Sequence, residues 1–205
     1  MIDTSVVGYS FFMYKENTSS YPHYSLPKGY RFVFYKKGDE AHWADIIHSV
    51  GFFDSNEEAL ENFKKDFLGQ ELLPEDRMLF VVAPNGEYVA TCSLWDGIYL
   101  GERKQRFHWL AVRDTHAGLG IARALMTRLM ELYNELGFNG FVYIITSGRY
   151  YPAVALYLEY GFLPYVGETS PIDPSNVNFK EQNRISLETI EKKLAEYKKK
   201  IKVRE

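Results

Sequence analysis

Apolar residues along the chain recur with two different spacings, and each spacing predicts a different element. Segments in which they return every three or four positions predict helices, whereas continuous or alternating apolar runs predict strands. In chain order the pattern predicts a strand at residues 30–35, helices around 43–50 and 60–67, strands at 78–83, 88–95 and 107–112, a helix at 121–136, a strand at 141–146, a helix at 152–160 and a strand at 162–166. Strands interleaved with helices favour an α/β fold, a mixed sheet with helices on its faces.

Turn and capping residues mark the ends of several of these elements. Asn85-Gly86 between two apolar runs predicts a tight hairpin. Ser55, with Glu58 three residues later, predicts the start of the second helix. The polar residues 101–105 predict a turn that leads into the strand at 107–112. These signals support the same order of elements as the apolar spacing.

The chain divides by composition into three segments. Residues 1–29, rich in Tyr, Ser and Pro, form an N-terminal extension in which 6–14 predict a short strand. Residues 30–166 form the predicted α/β domain, and 167–205 combine a polar connection with a C-terminal amphipathic helix. The apolar stripe of that helix consists of Leu187, Ile190, Leu194, Tyr197 and Ile201. Such a stripe docks on its own domain or on a second subunit, and the second alternative implies a homodimer.

Composition restricts the class of protein. A formal net charge of −3 disfavours a nucleic-acid partner, because proteins that bind nucleic-acid phosphates typically carry a surplus of basic residues. The single cysteine, Cys92, cannot form an internal disulfide and is expected to be a packed thiol in a strand. No apolar run reaches the roughly 20 residues that span a bilayer, and Asp3 interrupts the start where a signal peptide would be apolar. We therefore expect a soluble, cytoplasmic protein without a membrane partner.

The histidines show no metal-ligand pattern. His23, His42, His48 and His116 have no cysteine or carboxylate partners at the spacing of a metal site. The sequence therefore predicts no metal.

Residues 117–122, Ala-Gly-Leu-Gly-Ile-Ala, join a predicted strand to a predicted helix. The first turn of a helix has unpaired N–H groups and a partial positive charge, and glycines let a diphosphate approach that backbone. Gly118 and Gly120 are spaced for this role. No Gly-Lys-Ser/Thr follows, so this is no Walker loop, and a third glycine of the dinucleotide fingerprint is missing. Alone, the segment fits an anion site and a plain tight turn equally well.

The wider context carries a family resemblance. Residues 110–112, the glycine turn and 121–126 together resemble motif A of the GNAT superfamily of N-acyltransferases. Residues 153–162, with Tyr157 and the pair Gly161-Phe162, resemble motif B. The resemblance covers about residues 30–166. It implies the GNAT fold, with a mostly antiparallel central sheet, a parallel pair of strands at the cofactor site and helices on both faces, and it implies acetyl-CoA as cofactor.

Two positions depart from the family pattern. Ala117 stands where motif A usually has Arg or Gln, and Tyr150 stands where motif B usually has Asn. Because backbone groups hold most of the diphosphate, we expect the first departure to weaken cofactor binding without abolishing it. The second puts one polar contact to the pantetheine or substrate region in doubt.

The resemblance implies direct attack of a primary amine on the thioester of acetyl-CoA in a ternary complex. It places the pantetheine arm against the backbone of residues 110–112. The residues that the resemblance assigns to cofactor binding are Leu110, Ala111, Val112, Ala117, Gly118, Leu119, Gly120, Ile121, Ala122, Arg123, Tyr150 and Ala153. The acceptor is expected to be a small-molecule or peptide amine, selected by residues 51–56 and 167–183.

Two side chains are candidates for proton transfer. Tyr157 matches the family tyrosine that donates to the leaving thiolate, and its alternative is an aromatic packing role. His108 is the candidate general base, on a strand face that alternation would share with Arg106, Leu110 and Val112. A packed histidine and a water chain acting as base are its alternatives. An acyl-CoA-binding module without catalysis is the alternative to the enzyme as a whole.

Overall fold

A computed structural model describes residues 3–69 and 72–202, with side chains described up to residue 197. The chain forms two compact units. The first unit contains the residues up to Ser20, Asp96–Arg106 and the residues from Gly140 onward. The second unit contains Tyr21–Trp95 and Phe107–Asn139.

The elements follow the predicted order, including the short N-terminal strand and the C-terminal helix, with one additional short helix before the strand predicted at residues 78–83. In chain order they are β1 (Ser10–Lys15), β2 (Arg31–Phe34), α1 (Glu40–Ser49), α2 (Asn56–Phe67), α3 (Pro74–Arg77), β3 (Met78–Val82), β4 (Tyr88–Tyr99), β5 (Glu102–Val112), α4 (Ile121–Glu135), β6 (Val142–Ser147), α5 (Tyr151–Glu159), β7 (Leu163–Pro164) and α6 (Phe179–Lys202). Ser55 caps α2 as predicted, since its side chain accepts the N–H of Glu58.

The second unit contains β2, β3 and the parts of β4 and β5 outside Asp96–Arg106, and β3 pairs antiparallel with β2 and with β4. Helices α1 and α2 pack through an aromatic cluster whose centre is Trp43, which is fully buried. The other members of the cluster include Phe63, Phe67, Trp95 and Ala111, with Trp109 against them. Burying each such aromatic side chain contributes roughly 1.5–3 kcal/mol, so this cluster is the main hydrophobic support of the unit.

The first unit contains β6, β1 and β7, together with the parts of β4 and β5 that lie within Asp96–Arg106. Strands β5 and β6 are the parallel pair. Strand β1 pairs antiparallel with β6, from Ser10 opposite Ser147 to Lys15 opposite Val142, and also with β7. The short strand predicted at residues 6–14 is therefore an interior strand of the sheet. The fold-class prediction is confirmed: a mixed sheet with a parallel pair and helices on both sides.

The predicted position of the turn, residues 101–105, is wrong, because the turn is shorter and lies at residues 100–101. Strand β4 continues to Tyr99, and β5 begins at Glu102. Leu100 and Gly101 join them with φ angles of 51° and 82°, and two left-handed residues are typical of a tight hairpin turn. The start of β5 is rich in charge because it is solvent-accessible, and this gave it the composition of a loop.

Helix α6 docks on its own unit, the first of the two predicted alternatives. It contacts α5 and β1, and Ile190 and Leu194 are buried within the single chain. Lys193 Nζ lies 2.7 Å from Asp3 Oδ2, which ties the helix to the start of the chain. The side chain of Ile201, predicted to complete the stripe, lies outside the described residues. In the described part of the chain, no helix has the length and apolar character to cross a membrane.

The segment boundaries predicted after residues 29 and 166 stay predictions. The first two residues of the N-terminal segment and the last three of the C-terminal segment, 1–2 and 203–205, lie outside the described residues.

Candidate active site

The end of β5 is held firmly where the glycine turn begins. The Arg113 N–H donates to the Val89 carbonyl (2.9 Å), and its Nε donates to the Tyr88 carbonyl (3.0 Å). Its guanidinium also pairs with the carboxylates of Asp45 and Glu87. One short helical turn, Asp114–His116, then leads to Ala117 in an extended conformation. The turn is thus anchored to the sheet on its N-terminal side.

Both glycines of the turn are left-handed. Gly118 has a φ of 80° and Gly120 a φ of 82°, and a Cβ built on either would meet no atom within 4 Å. Glycine is therefore required by the backbone conformation rather than by crowding. The open space leaves room for a ligand against the turn.

Helix α4 starts directly after Gly120 without a side-chain cap. Its first internal hydrogen bond runs from the Ala124 N–H to the Gly120 carbonyl (3.0 Å). The N–H groups of Ile121 and Ala122 precede this bond, and Leu119 is half exposed on the turn. This arrangement of N–H groups and helix dipole suits an anion such as a diphosphate.

Arg123 follows on the first turn of α4 and contacts Tyr24. Its guanidinium carbon lies 5.6 Å from the centre of the Tyr24 ring, a cation–π geometry. The Tyr24 N–H donates to Thr127 Oγ1 (3.0 Å), and that hydroxyl donates to the Pro22 carbonyl (3.2 Å). The chain before β2 therefore runs along α4. The group of Arg123 that is predicted to bind the anion is its backbone N–H.

The strand face predicted for His108 is wrong beyond Trp109. Trp109 has a φ of 53°, and this left-handed residue interrupts the alternation of β5 in the manner of a β-bulge. His108 and Trp109 consequently reach the same carboxylate, and Trp109 and Ala111 both pack on the aromatic cluster. The prediction that His108 shares a face with Leu110 and Val112 assumed a regular strand, and the apolar pattern does not reveal a bulge. The shared face with Arg106, which precedes Trp109, stays a prediction.

The carboxylate is that of Asp66, in the last turn of α2. Asp66 Oδ2 lies 3.3 Å from His108 Nε2 and accepts hydrogen bonds from Trp109 Nε1 (2.9 Å) and Asn62 Nδ2 (3.2 Å). Partial burial opposes ionisation, but the contacts with His108 and Trp109 outweigh it and lower the pKa of Asp66 to about 2. Asp66 is therefore ionised at neutral pH.

Two further aromatic rings lie next to the cluster of Asp66, His108 and Trp109. Phe52 and Phe53, in the loop after α1, have ring centres 5.3 and 5.7 Å from that of Trp109. The imidazole Nδ1 of His48 lies 2.9 Å from the Phe53 carbonyl oxygen and fixes the loop. Both phenylalanines are partly buried, in the segment expected to select the acceptor.

The motif B residues lie in the first unit. Tyr157 is 6% exposed in α5, its ring centre lies 6.2 Å from that of Phe162, and the Phe162 N–H donates to its carbonyl. Tyr150 precedes the first residue of α5, and burial raises the pKa of its phenol. Ala153 is half-buried in the first turn of that helix. The acid role of Tyr157 and the cofactor contacts of Tyr150 and Ala153 stay predictions.

Asp66 and Trp109 were missed by the sequence reasoning. Asp66 is 42 residues from His108 along the chain, and nothing in its neighbourhood distinguishes it from other carboxylates on helix surfaces. Trp109 resembled an ordinary core residue in an apolar strand. Their roles depend on the bulge and on the docking of α2, which only the folded chain shows.

The predictions for Cys92 and for metal ligands concern groups outside this cluster. Complete burial raises the pKa of the Cys92 thiol well above its ordinary value, which confirms the packed thiol. Among the residues that the structure describes, no group of three or more His, Cys, Asp or Glu is placed to hold a metal ion.

Comparison with known proteins places the chain in a family. Residues 41–162 match the acetyltransferase (GNAT) family. No curated protein matches the chain as a whole or in part. The family match includes the glycine turn, His108 and Tyr157.

Several solved structures share the fold. A GCN5-related N-acetyltransferase from Sphaerobacter thermophilus is 20% identical with a TM-score of 0.58, over 78% of this chain and 49% of that one. A GNAT-family acetyltransferase from Colwellia psychrerythraea is 12% identical with a TM-score of 0.57, over 78% and 54%. A tandem GNAT protein from the clavulanic acid biosynthesis pathway is 14% identical with a TM-score of 0.52, over 80% and 52%.

The chain spans about half the length of these three structures. At such low identity they show the fold alone. The family match, in contrast, covers more than half of the 205 residues and both motifs. The chain therefore belongs to the GNAT acetyltransferase family.

Proposed function

We propose that the chain is an N-acetyltransferase that moves an acetyl group from acetyl-CoA to a primary amine of a small molecule or peptide. The observation that carries the proposal is the turn at Gly118 and Gly120, left-handed at both glycines and open in front of the N-terminus of α4. Family membership supports acyl transfer from an acyl-CoA. Acetyl as the acyl group and a small-molecule or peptide amine as acceptor are the finer parts of the proposal.

The cofactor is held mainly by backbone groups. The N–H groups around Leu119, Ile121 and Ala122 receive the diphosphate, where the helix dipole adds partial positive charge. The backbone of residues 110–112 hydrogen-bonds the pantetheine arm, as the family resemblance implies, and Tyr150 and Ala153 add contacts to it. Ala117 supplies no side-chain donor, so we expect an affinity below that of relatives with Arg or Gln there.

The reaction is direct acyl transfer. The amine nitrogen attacks the thioester carbon, so a C–N bond forms and the C–S bond breaks. His108 takes a proton from the amine, and Tyr157 donates one to the departing thiolate, which leaves as the free thiol of CoA. The proton that His108 takes up replaces the one that Tyr157 gives, so a neutral amine and acetyl-CoA yield an amide and CoA without net release of a proton. A histidine imidazole can take up and release a proton near neutral pH, which suits the role of a general base.

The acceptor has an apolar part. Phe52 and Phe53 present partly buried rings beside Trp109, and a charged group alone would gain little from such a surface. An amine that carries an aromatic ring or an aliphatic chain would contact these rings while its nitrogen faces His108. We propose a cytoplasmic location on the basis of the unpaired, buried Cys92. Within the described side chains of the apolar stripe of α6, Ile190 and Leu194 are buried in their own unit, and the possible homodimer stays a prediction.

Thiol release from acetyl-CoA with a panel of amines tests the proposal. We expect release that depends on the amine and is fastest with aromatic or aliphatic amines, together with thermal stabilisation by acetyl-CoA alone. Stabilisation without release of thiol for any amine would favour the non-catalytic acyl-CoA-binding module. Absence of both would contradict the assignment of the glycine turn.

A further inference from the structure

Two consecutive residues of β5 converge on one carboxylate. In a regular strand, His108 and Trp109 would point to opposite faces of the sheet. The left-handed conformation of Trp109 brings both side chains to Asp66 Oδ2, at 3.3 and 2.9 Å. A bulky residue in this conformation costs on the order of 1–3 kcal/mol, and such strain persists only where the surroundings impose it. The backbone is therefore distorted where these contacts form.

The surroundings hold this arrangement from three sides. Ser93, a buried residue of β4, donates its hydroxyl to the His108 carbonyl (3.1 Å). Asn62, one turn before Asp66 on α2, donates to the same carboxylate oxygen (3.2 Å). The Phe67 ring lies 5.8 Å from the imidazole, between centres. The imidazole and the carboxylate retain 16% and 23% of their exposure, so both are largely shielded from water.

The charge of Asp66 determines which nitrogen of His108 carries the hydrogen. With a pKa lowered to about 2, the carboxylate is ionised at neutral pH and can only accept hydrogen bonds. A hydrogen bond between the two groups therefore requires the hydrogen to lie on Nε2. In the neutral imidazole this leaves Nδ1 as the nitrogen that can take a proton.

We propose that Asp66 is a positioning residue for catalysis: it holds His108 in the tautomer whose Nδ1 accepts the proton of the acceptor amine. The inference rests on the proposed function, since it assigns the geometry of the base in that reaction. In this assignment Asp66 acts on the reaction through the imidazole of His108. A buried carboxylate that orients an imidazole and stabilises its cation has the same effect in hydrolytic triads on unrelated folds.

Asp66 faces His108 from α2 with an ionisable group, and Phe67 and Trp109 face it with uncharged rings. Asp66→Asn removes the negative charge that favours the protonated imidazole. We expect the acidic limb of the kcat/KM profile to move to lower pH by about one unit. We also expect kcat at its optimum to fall by about tenfold to a hundredfold, because the amide no longer selects one tautomer.

Glu61→Gln is the matched control. It makes the same change from acid to amide on the same helix, at a side chain that is 74% exposed and pairs with Lys64. We expect this variant to keep the wild-type pH profile and kcat. Asp66→Glu keeps the charge and is expected to keep the acidic limb near its wild-type position.

A second readout does not depend on turnover. The ¹⁵N NMR signals of the imidazole in the full chain report the tautomer, and His108→Gln identifies them. We expect the Nε2–H tautomer in the wild type and a His108 titration midpoint that moves to lower pH in Asp66→Asn together with the kinetic limb. A wild-type Nδ1–H tautomer would overturn the inference even if Asp66→Asn failed to fold.

The two readouts separate this inference from the proposed function. If the chain acetylates no amine while His108 still responds to the Asp66 charge, the proposed function and the catalytic part of this inference fail, and the pairing stands. If the chain is active and Asp66→Asn lowers kcat without moving the acidic limb, the proposed function stands and Asp66 is only structural. An unmoved His108 titration overturns the inference in either case.

Discussion

The glycine turn before α4 and the cluster of His108, Trp109 and Asp66 lie in the same unit but are built in different ways. The turn is made by consecutive residues, and its shape follows from two glycines that adopt left-handed conformations. The cluster joins residues 42 positions apart through a distorted strand and a docked helix. The first can be recognised in sequence because backbone geometry is local. The second depends on tertiary contacts, so its members carry no common sequence signal.

This difference predicts that the two regions fail differently when mutated. The turn should control binding of the cofactor, and the cluster should control the rate of the chemical step. A variant in one region should leave the property of the other nearly unchanged.

The largest expected effect is that of His108→Gln. Loss of the base should lower kcat/KM at pH 8 by about a hundredfold and flatten the acidic limb of the pH profile. The affinity for acetyl-CoA should not change, because His108 is not part of the turn. Steady-state kinetics across pH, with calorimetric titration of acetyl-CoA, measure both quantities. A retained acidic limb would assign the base to another group or to a water chain.

Gly120→Val should affect mainly the cofactor. A β-branched residue is strained at a φ of 82° and would place a side chain in the open space before α4. We expect the affinity for acetyl-CoA to fall about tenfold or more, because the side chain would keep the diphosphate away from the N–H groups at the start of α4. Calorimetric titration of acetyl-CoA measures the loss.

Gly86→Val provides the control for that variant. Gly86, in the turn between β3 and β4, has a φ of 89° and equally open surroundings. The Gly86→Val variant should lose thermal stability to a similar extent as Gly120→Val and keep its affinity for acetyl-CoA. Equal losses of affinity in the two variants would mean that the turn before α4 has no special relation to the cofactor.

Tyr157→Phe tests the acid in the first unit. Removal of the phenol should lower kcat about tenfold, the lower end of what proton transfer contributes. Binding of acetyl-CoA should persist, because the ring and its packing on Phe162 remain. Rapid-quench kinetics with a good acceptor measure the chemical step. A normal rate would leave Tyr157 with a packing role only.

The smallest expected effect is on stability. The folded-state pKa of Asp66, about 2, is below its ordinary value of 3.8, so ionised Asp66 stabilises the fold. This stabilisation is present above pH 4 and is lost as pH falls through about 2. Its size is about 1–2 kcal/mol after allowance for partial exposure. Denaturant unfolding of wild type and Asp66→Asn should differ by this amount at pH 7 and converge near pH 2. A constant difference would contradict the assigned pairing.

Most of the fold could be predicted from the chain, for identifiable physical reasons. The helices of the domain have apolar stripes, and α2 has a cap at Ser55 that the structure confirms. The position of β1 between β6 and β7 could not be predicted, because pairing across more than a hundred residues leaves no local signal. The start of β5 was missed since its side chains are charged and solvent-accessible.

The candidate site could be predicted only in part. The turn was located to the residue, since glycines such as Gly118 and Gly120 are the residues that adopt a left-handed backbone conformation without steric cost. His108 was found as a candidate, but its surroundings were wrong because alternation was assumed through Trp109. Asp66 was not found at all. What the sequence lacks is the set of contacts that a bulge and a packed helix create.

The most direct test of the central claim is a parallel measurement of acetyl-CoA affinity and amine-dependent thiol release in wild type, His108→Gln and Gly120→Val. We predict that wild type binds and releases thiol, that His108→Gln binds equally well but releases about a hundredfold more slowly, and that Gly120→Val binds weakly. A wild type that releases no thiol with any amine, or a His108→Gln variant with undiminished release, would contradict this account.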